Sequence, residues 1–139
     1  MHSIFLAPTT YAQHSKIPIM LLEKEKYKII TNETDRKLLP SEIIQYASNV
    51  IGIIAGTELY NKEVLEQLSN LKVLSRLGVG IDNIDQDTAK SLGVKIYSTV
   101  TSPTQAVIEL VIGLLINVSR HISICNNLLK NNNWNKKMG

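Results

Sequence analysis

Leu74-Ser75-Arg76-Leu77-Gly78-Val79-Gly80-Ile81-Asp82-Asn83-Ile84-Asp85 is the stretch whose reading decides the fold. Val73 and Leu74 open a short apolar run after a helical segment, so Val73 to Arg76 reads as a buried strand. Glycine has no Cβ and tolerates positive φ, so Gly78 and Gly80 let main-chain N–H groups approach a small ligand, and a carboxylate or phosphate suits such a loop. Asn83 and Asp85 are both N-cap residues for a following helix with Ala89 and Leu92 on its apolar side, and Gly93 stands where a left-handed C-cap belongs. The unit is strand, glycine turn, helix, strand. Taken alone, a Gly-x-Gly after a strand also describes a plain tight turn.

The same alternation extends upstream. Ser3 to Ala7 is apolar and ends at Pro8, which makes it a first strand carrying Pro8, Thr9 and Thr10 at its carboxyl end. Ile17, Leu21 and Leu22 recur at helical spacing after the Ser15 to Pro18 region. Tyr27 to Ile30 is a second strand, Thr31 to Lys37 a polar loop, and Pro40, Ser41 and Glu42 open a helix with Ile43, Ile44 and Ala47 facing inward. Val50 to Ala55 is a third strand followed by Gly56, Thr57 and Glu58, and Asn61 caps a helix using Val64, Leu65 and Leu68. Val94 to Tyr97 is a fifth strand. Strands alternating with short helices imply right-handed crossovers and a parallel sheet covered on both faces. The expected fold is α/β and flavodoxin-like, five strands in the order 2-1-3-4-5, with three loops converging at the carboxyl edge beside the switch point.

The last third departs from this alternation. Ser102-Pro103-Thr104-Gln105 has the form of a capping box with proline at the first helical position, and it should start one long helix. From Ala106 to Val118 that helix is apolar on nearly every side, so it should pack between two bodies, with fraying expected from Asn126 onward.

Composition narrows the function classes. The 139 residues fit one domain, and 44% apolar content excludes a disordered chain. A net charge of +3 with scattered lysines, only Lys136 and Lys137 being adjacent, provides no stripe for nucleic acid. Cys125 is the one cysteine, which excludes an internal disulfide and points to a cytoplasmic chain. The apolar window Ala106 to Ile124 holds Glu109, Asn117, Arg120 and His121, so a membrane span is not expected.

Leu77-Gly78-Val79-Gly80-Ile81-Asp82-Asn83-Ile84-Asp85, followed by Ala106-Val107-Ile108-Glu109-Leu110 at the start of the long helix, resembles the D-isomer-specific 2-hydroxyacid dehydrogenases, above all their phosphoglycerate dehydrogenase-like branch. The resemblance covers nearly the whole chain as that family's first, substrate-binding segment. It implies that residues 1–101 form the substrate-binding domain, and that 102–139 form the interdomain helix and the start of a linker to a cofactor domain the chain does not contain. It further implies NAD as cofactor, a small 2-oxo or 2-hydroxy acid as ligand and possible action on 3-phosphoglycerate. The apolar circumference of the long helix, left partly uncovered without a cofactor domain, points to homo-oligomers formed through that helix.

The resemblance assigns the clamp on the substrate carboxylate to main-chain N–H groups around Val79 and Gly80, within the Leu77-Gly78-Val79-Gly80 turn, with Ala55, Gly56 and Thr57 lining the pocket and Val107 near the nicotinamide. Hydride transfer to a 2-oxo acid needs an anion clamp, a proton donor and a bound nicotinamide. This chain offers the first and one wall of the third, because no residue matches the family's catalytic arginine, glutamate or histidine. Arg76 is expected to form an ion pair at its strand end, with contact to an anionic substrate as the alternative, Glu109 to serve the first turns of its helix, and His121 to sit at a helix end. Pro103 stands where the common family pattern has asparagine, a variant of the phosphoglycerate dehydrogenase-like branch. Alternative readings are a stand-alone module holding a small carboxylate or phosphate, and an interaction domain that docks its apolar helix on a partner.

Overall fold

The computed structural model describes residues 2–138. In chain order the elements are β1 (Ser3–Leu6), α1 (Ile17–Lys24), β2 (Lys28–Thr31), α2 (Pro40–Ala47), β3 (Gly52–Ala55), α3 (Lys62–Gln67), β4 (Val73–Arg76), α4 (Gln86–Ser91), β5 (Lys95–Ser98), α5 (Thr104–Ser119) and α6 (Ile122–Lys130). The five strands form one parallel sheet in the order β2-β1-β3-β4-β5, the flavodoxin-like arrangement that the strand-helix alternation implies. Two compact units divide the chain, Met1–Thr101 and Ser102–Gly139.

Register decides which side chains enter the core. Phe5 is paired with Ile53, and Ile53 with Leu74, so these three point to the same face, where each is buried. There they meet Ile43 and Ala47 of α2, Val64 and Leu65 of α3 and Ala89 of α4. The Phe5 and Tyr46 rings stack with centroids 5.4 Å apart. Each large apolar side chain buried in this layer contributes about 1.5–3 kcal/mol.

The opposite face, carrying Ile4, Ile54, Val73 and Ser75, is only half-buried, and a groove of about 280 Å³ runs over it. Both faces carry helices, as expected, but unequally. The crossovers β2 to β3, β3 to β4 and β4 to β5 all run the same way along the sheet, so right-handedness places α2, α3 and α4 on one side and leaves α1, between β1 and β2, alone on the other.

Helix ends follow the cap chemistry in two cases. Asn61 Oδ1 accepts the Val64 N–H at 3.1 Å, and Asp85 Oδ1 accepts the Thr88 N–H at 3.0 Å. Gly93 takes φ +73° just past α4, as a left-handed C-cap requires.

The Ser102–Gly139 unit corrects three expectations. The Ser102 capping box does not form: the N-cap is Pro103 without a side-chain bond, and Gln105 Nε2 donates to Glu109 Oε1 at 2.9 Å. The single long helix is two, broken where His121 adopts φ 52°, with the axes of α5 and α6 bent by 63°. Asn117 Oδ1 stabilises the break by accepting the Ser123 N–H at 2.9 Å, which caps the new helix from inside the old one. Restarted this way, α6 runs on to Lys130, past Asn126 where fraying was expected. Every residue from Thr104 to Ile116 is exposed. Among the described residues no single helix is long and apolar enough to cross a membrane; α5 and α6 reach that length and composition only as a bent pair.

Candidate functional site

The carboxyl ends of β1, β3 and β4 open onto one cleft of about 290 Å³. Pro8, Thr9 and Thr10 line it after β1, Gly56, Thr57 and Glu58 after β3, and Arg76 and Leu77 at the end of β4. Arg36 and Lys37 join from the loop after β2. That loop is tied to β1 by Asn32, whose Nδ2 donates to the carbonyls of Ala7 at 2.9 Å and Arg36 at 2.8 Å. Arg36 grips Glu42 through two hydrogen bonds of 2.9 and 2.6 Å, and Glu42 also accepts the Leu39 N–H at 2.8 Å. The guanidinium, helped by that amide, holds the Glu42 carboxyl well below the usual carboxylate range, at about 2.

After β3 the chain folds on its own carboxylate. Gly56 N–H donates to Glu58 Oε2 at 2.7 Å, and Glu58 is only 3% exposed. A Cβ at position 56 would stand 2.9 Å from that oxygen and 3.2 Å from Pro8 Cγ, so any side chain there would have to push the Glu58 carboxylate aside. Asn83 then joins this loop to the segment after the glycine turn: its Nδ2 donates to the carbonyls of Gly56 at 3.2 Å and Glu58 at 2.6 Å. The main chain continues the seam, with Tyr60 N–H on the Asn83 carbonyl at 2.8 Å and Asp85 N–H on the Tyr60 carbonyl at 2.9 Å. Asn83 therefore bridges two loops and does not cap α4, a role that falls to Asp85 alone.

The glycine turn is asymmetric. Gly78 takes φ +143°, and its N–H is engaged by the Arg76 carbonyl at 2.9 Å and Thr99 Oγ1 at 3.1 Å. Gly80 has no left-handed φ, and an added Cβ would meet only Asp82 Oδ2 at 3.4 Å. The N–H groups of Val79 and Gly80 have no partner among the described residues, and both residues are exposed. The expected ion pair of Arg76 is absent among the described residues; its Nη1 donates to the Leu77 carbonyl and its buried Nε has no partner. The Tyr60 hydroxyl is also buried without a partner among the described residues. Burial, followed by the negative charge of Glu58, pushes that hydroxyl's pKa far up, against a smaller lowering by Arg76.

Of the residues expected at a substrate pocket, Gly56, Thr57 and Leu77 line the cleft, and Ala55 is fully buried behind it. Gly78 is used up in holding the turn, while Val79 and Gly80 present their amides to solvent. Val107 lies exposed on α5, in the other unit. Asn83, read as an N-cap, is the polar group that spacing alone did not place at the site; Glu58 lies in the loops expected to converge there, and Arg76 at the end of its strand.

A dinucleotide does not fit the glycine turn. A pyrophosphate site needs a third glycine three residues on and an open helix N-terminus. Here the third position is Asn83, already engaged, and the α4 N-terminus is occupied by the Asp85 carboxylate. Among the described residues no group of three His, Cys, Asp or Glu side chains is placed to hold a metal ion.

Residues 11–132 match the family described as D-isomer specific 2-hydroxyacid dehydrogenase, catalytic domain. The chain belongs to this family. As a D-isomer-specific 2-hydroxyacid dehydrogenase family member it is 30% identical over 122 residues to a hydroxypyruvate reductase of Thermotoga maritima, covering 84% of this chain and 40% of that protein. It is 32% identical over 118 residues to a D-3-phosphoglycerate dehydrogenase of Methanocaldococcus jannaschii, covering 85% of this chain and 22% of the relative. Its fold matches an NAD-binding D-isomer specific 2-hydroxyacid dehydrogenase from a Polaromonas species with a TM-score of 0.83 at 24% identity, over 99% of this chain and 42% of that one. This family member thus spans two-fifths or less of the curated relatives it matches here.

Proposed function

We propose that this chain is the substrate-binding portion of an NAD-dependent D-2-hydroxyacid dehydrogenase, with residues 1–101 holding the carboxylate of a 2-oxo or 2-hydroxy acid. The observation that carries the reading is the meeting of three strand-end loops in one cleft bordered by Arg76, beside a turn whose Val79 and Gly80 amides are unengaged. Anions bind in such crevices because N–H groups and a guanidinium replace their hydration without reorganisation. The chain's own share of the reaction is to bind and orient the acid. The nicotinamide, the general acid–base pair and the catalytic arginine come from protein outside residues 2–138, and the exposed apolar face of α5 is where that body and a second copy pack. Cytoplasmic location accords with the lone cysteine.

The test is to incubate the purified chain with NADH and a panel of 2-oxo acids. No turnover above a buffer blank and no quenching of NADH fluorescence is expected; turnover that survives repurification contradicts the assignment.

A further inference from the structure

Four charged side chains border the cleft: Arg36, Lys37, Glu58 and Arg76. Two of them contribute little to its selectivity. Arg36 is closed on Glu42 by its pair of hydrogen bonds, and Lys37 is exposed, so its charge is screened by solvent and salt. Glu58 and Arg76 are different. Glu58 is withdrawn from water with the Gly56 amide as its hydrogen-bond donor, and neither it nor Arg76 has an ion-pair partner among the described residues. Charges held this way act on a neighbour at a lower effective dielectric than surface charges do.

We propose that Glu58 sets the charge of the ligand, restricting the cleft to singly charged 2-oxo and 2-hydroxy monocarboxylates and rejecting phosphorylated or dicarboxylic ones. The inference rests on the reading that this cleft binds the acid. One carboxylate finds Arg76 at the cleft's edge, where the chain continues past Leu77 into the turn that holds the unengaged amides of Val79 and Gly80. A second anionic group in a cleft of about 290 Å³ must come close to Glu58, and the one further uncommitted cation, Lys37, is hydrated. Juxtaposed like charges oppose binding more strongly than a screened cation favours it, so rejection comes from a built-in repulsive group. The carboxylate is fixed in place: the Gly56 amide holds one oxygen, and Asn83 holds the Glu58 main chain at 2.6 Å.

The experiment titrates pyruvate, 2-oxoglutarate and 3-phosphoglycerate into the 15N-labelled chain at one ionic strength, for wild type and Glu58→Gln. Wild type is expected to bind pyruvate at least about tenfold more tightly than either multiply charged acid, equivalent to about 1.4 kcal/mol. Glu58→Gln should tighten the multiply charged acids at least about fivefold and change pyruvate less than about twofold. Should Glu58→Gln fail to fold, the wild-type ratio decides: equal or tighter binding of 3-phosphoglycerate overturns the proposal. Shifts at residues 55–57 and 76–80 from all three acids with the same ratio in both proteins overturn the role of Glu58 alone. The absence of shifts there from any acid overturns the site itself.

Discussion

Asn83 reaches across two loops to place its side-chain amide 2.6 Å from the carbonyl oxygen of Glu58. With the second bond to Gly56 this makes Asn83 the brace of the cleft's β3 wall. Asn83→Ala leaves two carbonyls without a donor and should cost about 1–3 kcal/mol. Asn83→Asp, which turns a carboxylate on those carbonyls, should cost at least as much. Urea denaturation measures both, and amide exchange should quicken first at residues 56–60; stability equal to wild type in both variants refutes the brace.

The two glycines of the turn should respond oppositely to substitution. Gly78→Ala forces a side chain onto φ +143° and should destabilise by about 1–3 kcal/mol. At Gly80 an added Cβ meets only Asp82 Oδ2 at 3.4 Å, so the thermal transition of Gly80→Val should stay within a few degrees of wild type while its side chain covers the neighbouring amide. Equal losses from both substitutions would contradict the asymmetry of the turn.

Much of this was legible in the sequence because it is local. Val73 to Arg76 is β4 to the residue, and Asn61, Asp85 and Gly93 cap as their chemistry dictates. What was not legible depends on contacts remote in sequence. Asn83 has the right type and place for an N-cap, yet partners 25 and 27 residues away claim it. Glu58 follows Gly-Thr in a polar loop, and nothing in its neighbours signals burial. The break at His121 has no glycine or proline to announce it; a positive φ on histidine and the side chain of Asn117 make it.

The Arg36–Glu42 pair should show in the pH dependence of stability. Its folded carboxyl titrates at about 2 against 4.5 for the free group. A lowered folded-state pKa stabilises above the free value and is lost as pH falls through the folded one. Glu42→Gln should therefore melt below wild type at pH 7, with the difference narrowing below about pH 4.5 and vanishing near pH 2. A difference independent of pH across that window would contradict the assignment.

The apolar surface of α5 should drive self-association. Val111 and Leu115 lie one turn apart and are both exposed, within a helix whose residues 104–116 are exposed throughout. Sedimentation of wild type should show dimers or larger species as concentration rises, and Val111→Glu with Leu115→Glu should return it to monomer. A wild type that stays monomeric and binds no hydrophobic dye counts against the account.

Amide shifts on titrating pyruvate into the 15N-labelled chain test the central claim most directly, that the strand-end cleft holds the carboxylate. Binding is expected to be weak, at best about millimolar or about −4 kcal/mol. The account predicts that signals of residues 55–57 and 77–80 move before any others, led by Val79 and Gly80, and that Gly80→Val abolishes the movement without unfolding the chain. Shifts centred on Glu109 or His121, or none in the turn at saturating pyruvate, would contradict it.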